Sequence, residues 1–171
     1  GAANTIVRRD NRLLAYNTDR PAVSGELSNV ASARRAVVLG NGGAARAVVD
    51  ALDELDIPLT VVDRERWAEL PTLVAAADLL VNATPIGTDA DESPVPEQLL
   101  RPDLAVFDLV YRPTPTRLVT EARSVGAVAQ GGASMLLGQA VLSFELWTGR
   151  HAPVAVMAEA LRVELGIDAD A

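Results

Sequence analysis

The chain has 171 residues, enough for one domain with a full core and too few for two ordinary ones, and its 49% hydrophobic and 22% charged residues are a globular composition. The net charge of −8 argues against a nucleic-acid or anionic-membrane partner, since both need a basic face. There is no cysteine and one histidine, His151, so disulfides, thiolate metal sites and a histidine metal cage are excluded and no metal is expected. No apolar run approaches the roughly 20 residues that span a bilayer. The first residues, GAANTIVRRD, lack the apolar centre of a signal peptide, so a soluble cytoplasmic protein is expected. All fifteen basic residues are arginine, and any chemistry that needs a titratable ammonium must import it.

Residues 4–18 read as two short strands joined by a turn at Asp10-Asn11. Residues 20–32 are small and polar and suit a linker helix or loop. Ala36 to Leu39 is an apolar strand that runs into a glycine-rich turn. After that turn Ala45, Val48, Leu52 and Leu55 recur at helical spacing. PLTVVD is a second strand ending on Asp63, and ERWAELPTLVAAA reads as a helix broken or bent near Pro71. DLLVNATP and LAVFDLVY are the third and fourth strands, residues 115–125 a helix, and GAVAQGG a short fifth strand. Two helices follow, Ser134 to Trp147 and Pro153 to Leu165, with Gly166 as a helix end. Strands that are apolar throughout and alternate with helices predict a Rossmann-like three-layer parallel sheet of about five strands, preceded by the strand pair. The expected division is 1–32 for strand pair and linker and 33–171 for the Rossmann-like domain with its C-terminal helices.

Gly40-Asn41-Gly42-Gly43-Ala44-Ala45 fits G-x-G-x-x-A between a strand and a helix. Such a turn lets backbone approach a pyrophosphate, while the helix N-terminus supplies amides and partial positive charge. The plain alternative is a tight turn without a ligand. Asp63, at the end of the next strand, can accept hydrogen bonds from an adenosine ribose and repel a 2′-phosphate. It also suits a helix N-cap, and the two roles are compatible. Gln139 is the strongly polar side chain within the apolar stretch MLLGQAVLSF, and a buried amide there needs a neighbour or a ligand. NATP puts small and polar groups where a parallel strand ends, the usual ligand edge of such sheets. By the same standard Asp19 reads as a turn residue, Tyr111 and Trp147 as core aromatics, and His151 as a surface cap.

Taken in order, NTI with NTD downstream, GNGGAARA, NATPIG, DLVYRPTPT, G-x-x-ML-x-x-Q and F-x-LWTG resemble the motifs of the shikimate dehydrogenase family, and they cover nearly the whole chain. The resemblance implies that Asn4 and Asp19 correspond to a substrate-contacting asparagine and the catalytic aspartate. Gln139 and Tyr111 fall at substrate-side positions. Leu109, Gly132 and Met135 fall at positions lining the nicotinamide, and Asn82, Ala83 and Thr84 at the strand end beside it. With Gly40, Asn41, Gly42, Gly43, Ala44, Asp63 and Arg64 they form the expected cofactor site. The implied activity is reversible hydride transfer between NAD or NADP and shikimate or a related acid, with NAD favoured by Asp63.

Three departures from the family stand out. Its N-terminal substrate domain, with a lysine paired to the aspartate, has no counterpart here. NTDG reads NTDR, and N-R-T after the second strand reads Asp63-Arg64-Glu65. The segment after Asp63 is so short that the outer strand of the first half is expected to be absent. The strand pair is expected to lack support, leaving an edge that is disordered or pairs in a homodimer unless the missing domain supplies a sheet. The rival reading is a non-catalytic or split-enzyme nucleotide-binding module without its lysine.

Overall fold

In a computed structural model, residues 2–28 and 33–167 are described; residues 29–32 of the expected linker lie outside them. The hairpin comes first, with β1 (Thr5–Arg9) antiparallel to β2 (Arg12–Tyr16). Asp10 and Asn11 both take positive φ, 45° and 61°, the backbone that a two-residue hairpin turn requires. The residues after it form a helix, α1 (Asp19–Leu27), which buries Ala22, Val23 and Leu27.

From there the chain alternates. β3 (Ala36–Leu39), α2 (Gly43–Glu54), β4 (Leu59–Val62), α3 (Leu70–Ala75), β5 (Leu79–Asn82), β6 (Ala105–Asp108), α4 (Arg117–Ser124) and β7 (Ala129–Gln130) lead into α5 (Ala133–Thr148) and α6 (Val154–Leu165). The five strands pair in parallel in the order β4-β3-β5-β6-β7, so β4 is an edge and no further strand lies outside it among the described residues. Pairing alternation on these strands feeds two cores. Val38, Val81 and Phe107 meet Val23, Val48, Leu52 and Met135 on the face that carries α1, α2 and α5. Val37, Leu39, Leu80 and Val106 meet Leu70, Val74, Leu118 and Ala122 on the face of α3 and α4.

One expectation is sharpened and one changes. The helical stretch is broken near Pro71, as expected, but the proline lies in the first turn of α3, just after a 3₁₀ turn over Trp67–Glu69. A first-turn N–H has no partner to lose, so proline is tolerated there. The strand pair, expected to lack support, rests on α5: Thr5 hydrogen-bonds Ser143 at 2.9 Å, and the Trp147 indole donates to the Ile6 carbonyl at 3.2 Å.

Candidate functional site

Between β3 and β5 the strand order reverses direction, and open α/β sheets bind ligands in the crevice at that point. The chain leaves β3 through Gly40, whose φ of +100° and closeness to the next strand both demand glycine: an added Cβ would lie 3.0 Å from the Ala83 carbonyl oxygen. Further on, Gly42 is the N-cap residue of α2 and provides no side-chain cap, so the first amides of the helix are not claimed by a neighbouring side chain among the described residues. Added Cβ atoms at Gly42 and Gly43 would meet nothing within 4 Å. Open space beside uncapped helix amides fits an anionic group such as a pyrophosphate.

From this turn a cleft of about 590 Å³ runs along the strand ends, lined by Ala44, Ala83, Thr84, Leu109 and Tyr111 and, from α5 and α6, Leu136, Leu161 and Leu165. Its mouth is tied by Arg112, which donates to the Glu164 carbonyl at 2.9 Å and carboxylate at 2.8 Å. Its far wall depends on Gly132, where a Cβ would lie 2.2 Å from the Leu109 carbonyl oxygen. Met135 is 8% exposed and packs among core residues, while Tyr111 is 44% exposed at the cleft. Neither Tyr111 nor Trp147, which is 62% exposed, is the core aromatic that composition alone suggests.

The shape of the strand ends is set by a buried polar network that the sequence reading missed. Asp108 is 1% exposed and makes no ion pair among the described residues. Its carboxylate instead accepts from the Asn82 amide at 2.9 Å, the Val110 N–H at 3.0 Å and the Thr116 hydroxyl at 2.7 Å. Burial raises its pKa above the ordinary aspartate value, and these three bonds oppose the rise. Asn82 also accepts from the Thr84 hydroxyl at 2.6 Å and donates to the Ile86 carbonyl, so its side chain is spent inside the protein. Thr116 in turn caps α4 through the Val119 N–H. The signal for this network was DLV followed by a threonine eight residues on, two polar residues at element ends.

At the end of β4, Asp63 accepts from the backbone N–H of Glu65 at 3.0 Å and of Arg66 at 3.3 Å through one oxygen. These bonds close a local turn rather than cap a helix, the role expected of Asp63, since the 3₁₀ turn begins after Arg66 and α3 after Glu69, neither with a side-chain cap. The second Asp63 oxygen accepts no bond among the described residues. Arg64 is exposed and makes no ion pair among the described residues.

A second polar cluster joins the hairpin to α1 and α5. Asn4 donates to Asp19 at 2.8 Å and to the Thr18 hydroxyl at 3.0 Å, and accepts from the Thr18 N–H at 2.9 Å. Beneath it the hydroxyls of Thr5, Thr18 and Ser143 form a buried triangle. Burial raises the Asp19 pKa, and the bond from Asn4 offsets part of the rise. Arg20, where a small residue is usual in NTDG, turns away to pair with Glu54 on α2.

Helix α5 connects the two regions. Leu136, Gln139 and Ser143 recur at three and four residues, so they share one face over about 10 Å of helix. Leu136 lines the cleft and Ser143 touches Thr18, beside Asp19, with Gln139 between them. Gln139 is half-buried rather than sealed in a core, and among the described residues its amide donates only to the Leu136 carbonyl, at 3.1 Å. Ser143 was missed because it reads as a weakly polar break in an apolar helix; its position four residues after Gln139 was the available signal. His151 is fully exposed at the α5–α6 turn, 3.5 Å from the Glu145 carboxylate. Among the described residues no group of acidic or histidine side chains is arranged to hold a metal, and no helix is long and apolar enough to cross a membrane.

A parallel sheet with a glycine turn at its switch point and a cleft along its strand ends defines an α/β protein of the Rossmann-like type. A family model described as the shikimate 5′-dehydrogenase C-terminal domain matches residues 132–162. The shikimate dehydrogenase (NADP(+)) of Natronomonas pharaonis is 41% identical over 184 residues, spanning 96% of this chain and 69% of that protein. The chain belongs to the shikimate dehydrogenase family, a family of oxidoreductases. Among solved structures, shikimate 5-dehydrogenase from Thermus thermophilus in complex with NADP(H) and shikimate matches with a TM-score of 0.82 at 38% identity, covering 95% of this chain and 68% of that one. Quinate dehydrogenase from Corynebacterium glutamicum in complex with NAD matches with a TM-score of 0.83 at 27% identity, covering 96% and 68%.

Proposed function

We propose that this chain is the nucleotide-binding part of a shikimate dehydrogenase-type enzyme, binding NAD or NADP in the cleft and meeting a shikimate-like acid on its Asp19 side. One observation carries the reading: the face of α5 that lines the cleft at Leu136 continues through Gln139 to Ser143, hydrogen-bonded beside Asp19. A nicotinamide bound there supplies the hydride chemistry. The uncapped amides of α2 hold the pyrophosphate, and Asp63 accepts from the adenosine ribose with its free oxygen. Ala83 and Leu109 line the cleft, with Gly132 packed against Leu109, and would shape the wall for the reactive ring. Gln139 and Tyr111 orient the substrate, and Asp19 hydrogen-bonds the reacting hydroxyl and helps move its proton. The raised pKa of Asp19 suits that exchange.

NAD is the favoured dinucleotide, because the Asp63 and Glu65 carboxylates lie where a 2′-phosphate would bring two more negative charges. Since the sequence contains no lysine, the ammonium that the family pairs with the aspartate comes from outside these residues. That lack also supports the second reading, a nucleotide-binding module without turnover of its own. The test is shikimate-dependent nicotinamide reduction by the protein with and without the N-terminal portion of a relative. Turnover that needs both parts and is lost in Asp19→Asn supports the proposal. Dinucleotide binding with no turnover in either mixture favours the module, and turnover indifferent to Asp19→Asn overturns the assigned role.

A further inference from the structure

The turn after β4 carries three carboxylates, Asp63, Glu65 and Glu69, and two guanidinium groups, Arg64 and Arg66. The two arginines are held very differently. Arg64 projects into solvent, whereas Arg66 is tied down by its whole length. Its backbone N–H donates to Asp63, the residue that faces the ribose in the proposed site, at 3.3 Å. Its guanidinium meets Glu69 through two parallel bonds, Nε to Oε1 at 3.1 Å and Nη2 to Oε2 at 2.8 Å. The remaining terminal nitrogen, Nη1, donates to the Val61 carbonyl at 3.1 Å, on the edge strand β4. This leaves the planar fork, the geometry that suits a phosphate, filled by a carboxylate. Each partner favours the charged form of the other: the bond to Arg66 holds the Glu69 carboxyl below its usual range.

We propose that Glu69 is a specificity-determining residue for the nucleotide: its two-pronged pairing withholds Arg66 from a 2′-phosphate and so biases the site toward NAD. The proposal rests on the reading that the cleft binds a dinucleotide at Asp63. Two features make Arg66 the cation that matters. Its main chain is fixed on the Asp63 carboxylate, so release of the side chain would place a guanidinium beside the ribose without moving the backbone. Its pairing partner is only three residues away in a short turn, so removing Glu69 disturbs little else. Glu69 touches the dinucleotide in neither state; it acts through Arg66.

The experiment is calorimetric titration of NADH and NADPH into the wild-type protein, Glu69→Ala, Arg66→Ala and the double variant. The ion pair is exposed, so the effect is modest: Glu69→Ala is expected to tighten NADPH about two- to fivefold. NADH affinity stays unchanged, and the NADPH gain disappears in the double variant, which is the readout that a merely structural role would not give. The gain should also shrink as salt is raised, because both steps are electrostatic. An unchanged NADPH affinity in Glu69→Ala overturns the proposal, and so does a gain that persists without Arg66, since that would be a field effect of Glu69 alone. Wild-type protein that binds neither dinucleotide would sink the underlying reading as well, an outcome distinct from wild-type binding that is indifferent to Glu69.

Discussion

Replacing Gly42 with valine separates binding from folding. Gly42 has φ −77° and ψ −167°, extended backbone that a β-branched residue adopts readily. An added Cβ meets no heavy atom within 4 Å, so the fold should hardly respond, within about 0.5 kcal/mol as for an exposed position. The same open space is where a pyrophosphate must reach the first amides of α2. Losing one backbone hydrogen bond to a charged group costs about 1.5–3 kcal/mol, a weakening of roughly tenfold to a hundredfold. Gly132→Ala is the converse perturbation. Its Cβ would lie 2.2 Å from the Leu109 carbonyl oxygen, so strand end or helix must shift by about 1 Å. Overpacking of that kind costs about 1–3 kcal/mol, and each 1 kcal/mol lowers Tm by about 2–4 °C at this size. Thermal melting by circular dichroism and calorimetric titration with NADH, run on both variants, check the pair. Gly42→Val with wild-type affinity would remove the glycine turn from the site, and Gly132→Ala with an unchanged Tm would refute the close packing against Leu109.

Other substitutions probe the remaining parts of the site. Asp63→Asn removes a charge worth about 1 kcal/mol against another at 4 Å in water and about 4 at an effective dielectric near 20, so the preference for NADH over NADPH should fall at least about fivefold; an unaltered ratio in titrations at low salt would exclude Asp63 from discrimination. Ser143→Ala leaves the buried hydroxyls of Thr5 and Thr18 without their shared partner, at a cost of about 1–3 kcal/mol, read as a lower midpoint in urea. Asp108 has a pKa raised by burial, so its contribution is fully present below the ordinary aspartate value of about 3.9 and is lost as pH rises through the raised one. Wild-type stability relative to Asp108→Asn should therefore decline with rising pH across that window and then level off. A difference that grows with pH there would show that the hydrogen bonds, not burial, dominate.

Much of the architecture was legible in local pattern. Asp10-Asn11 announced a hairpin because two consecutive positive φ angles suit those side chains, and the short link after Asp63 announced the edge position of β4. The break near Pro71 was legible too, but not that the proline would open α3, because the residue at which α3 starts depends on where the preceding 3₁₀ turn ends. Tyr111 and Trp147 were misjudged because a large aromatic carries no mark of which side of an element it occupies. The glycine turn, Asp63 and the Thr84 strand end, which the proposed site uses, were visible as chemistry at element ends. Asp108 and Ser143 are not, because their meaning lies in partners from other strands and helices.

What the sequence by itself determined is whatever follows from contacts between near neighbours along the chain. Apolar periodicity, turn residues and the strand–glycine turn–helix order are of that kind, and so is the lack of any lysine. What only the tertiary structure decided is which distant groups meet. Thr5 and Ser143 are 138 residues apart, yet their hydroxyls are 2.9 Å from each other, and that contact places Asp19 at the far end of the same helix face that lines the cleft. The physical reason is that a buried hydroxyl or carboxylate must find a partner wherever packing brings one, and packing joins elements that the order of residues does not.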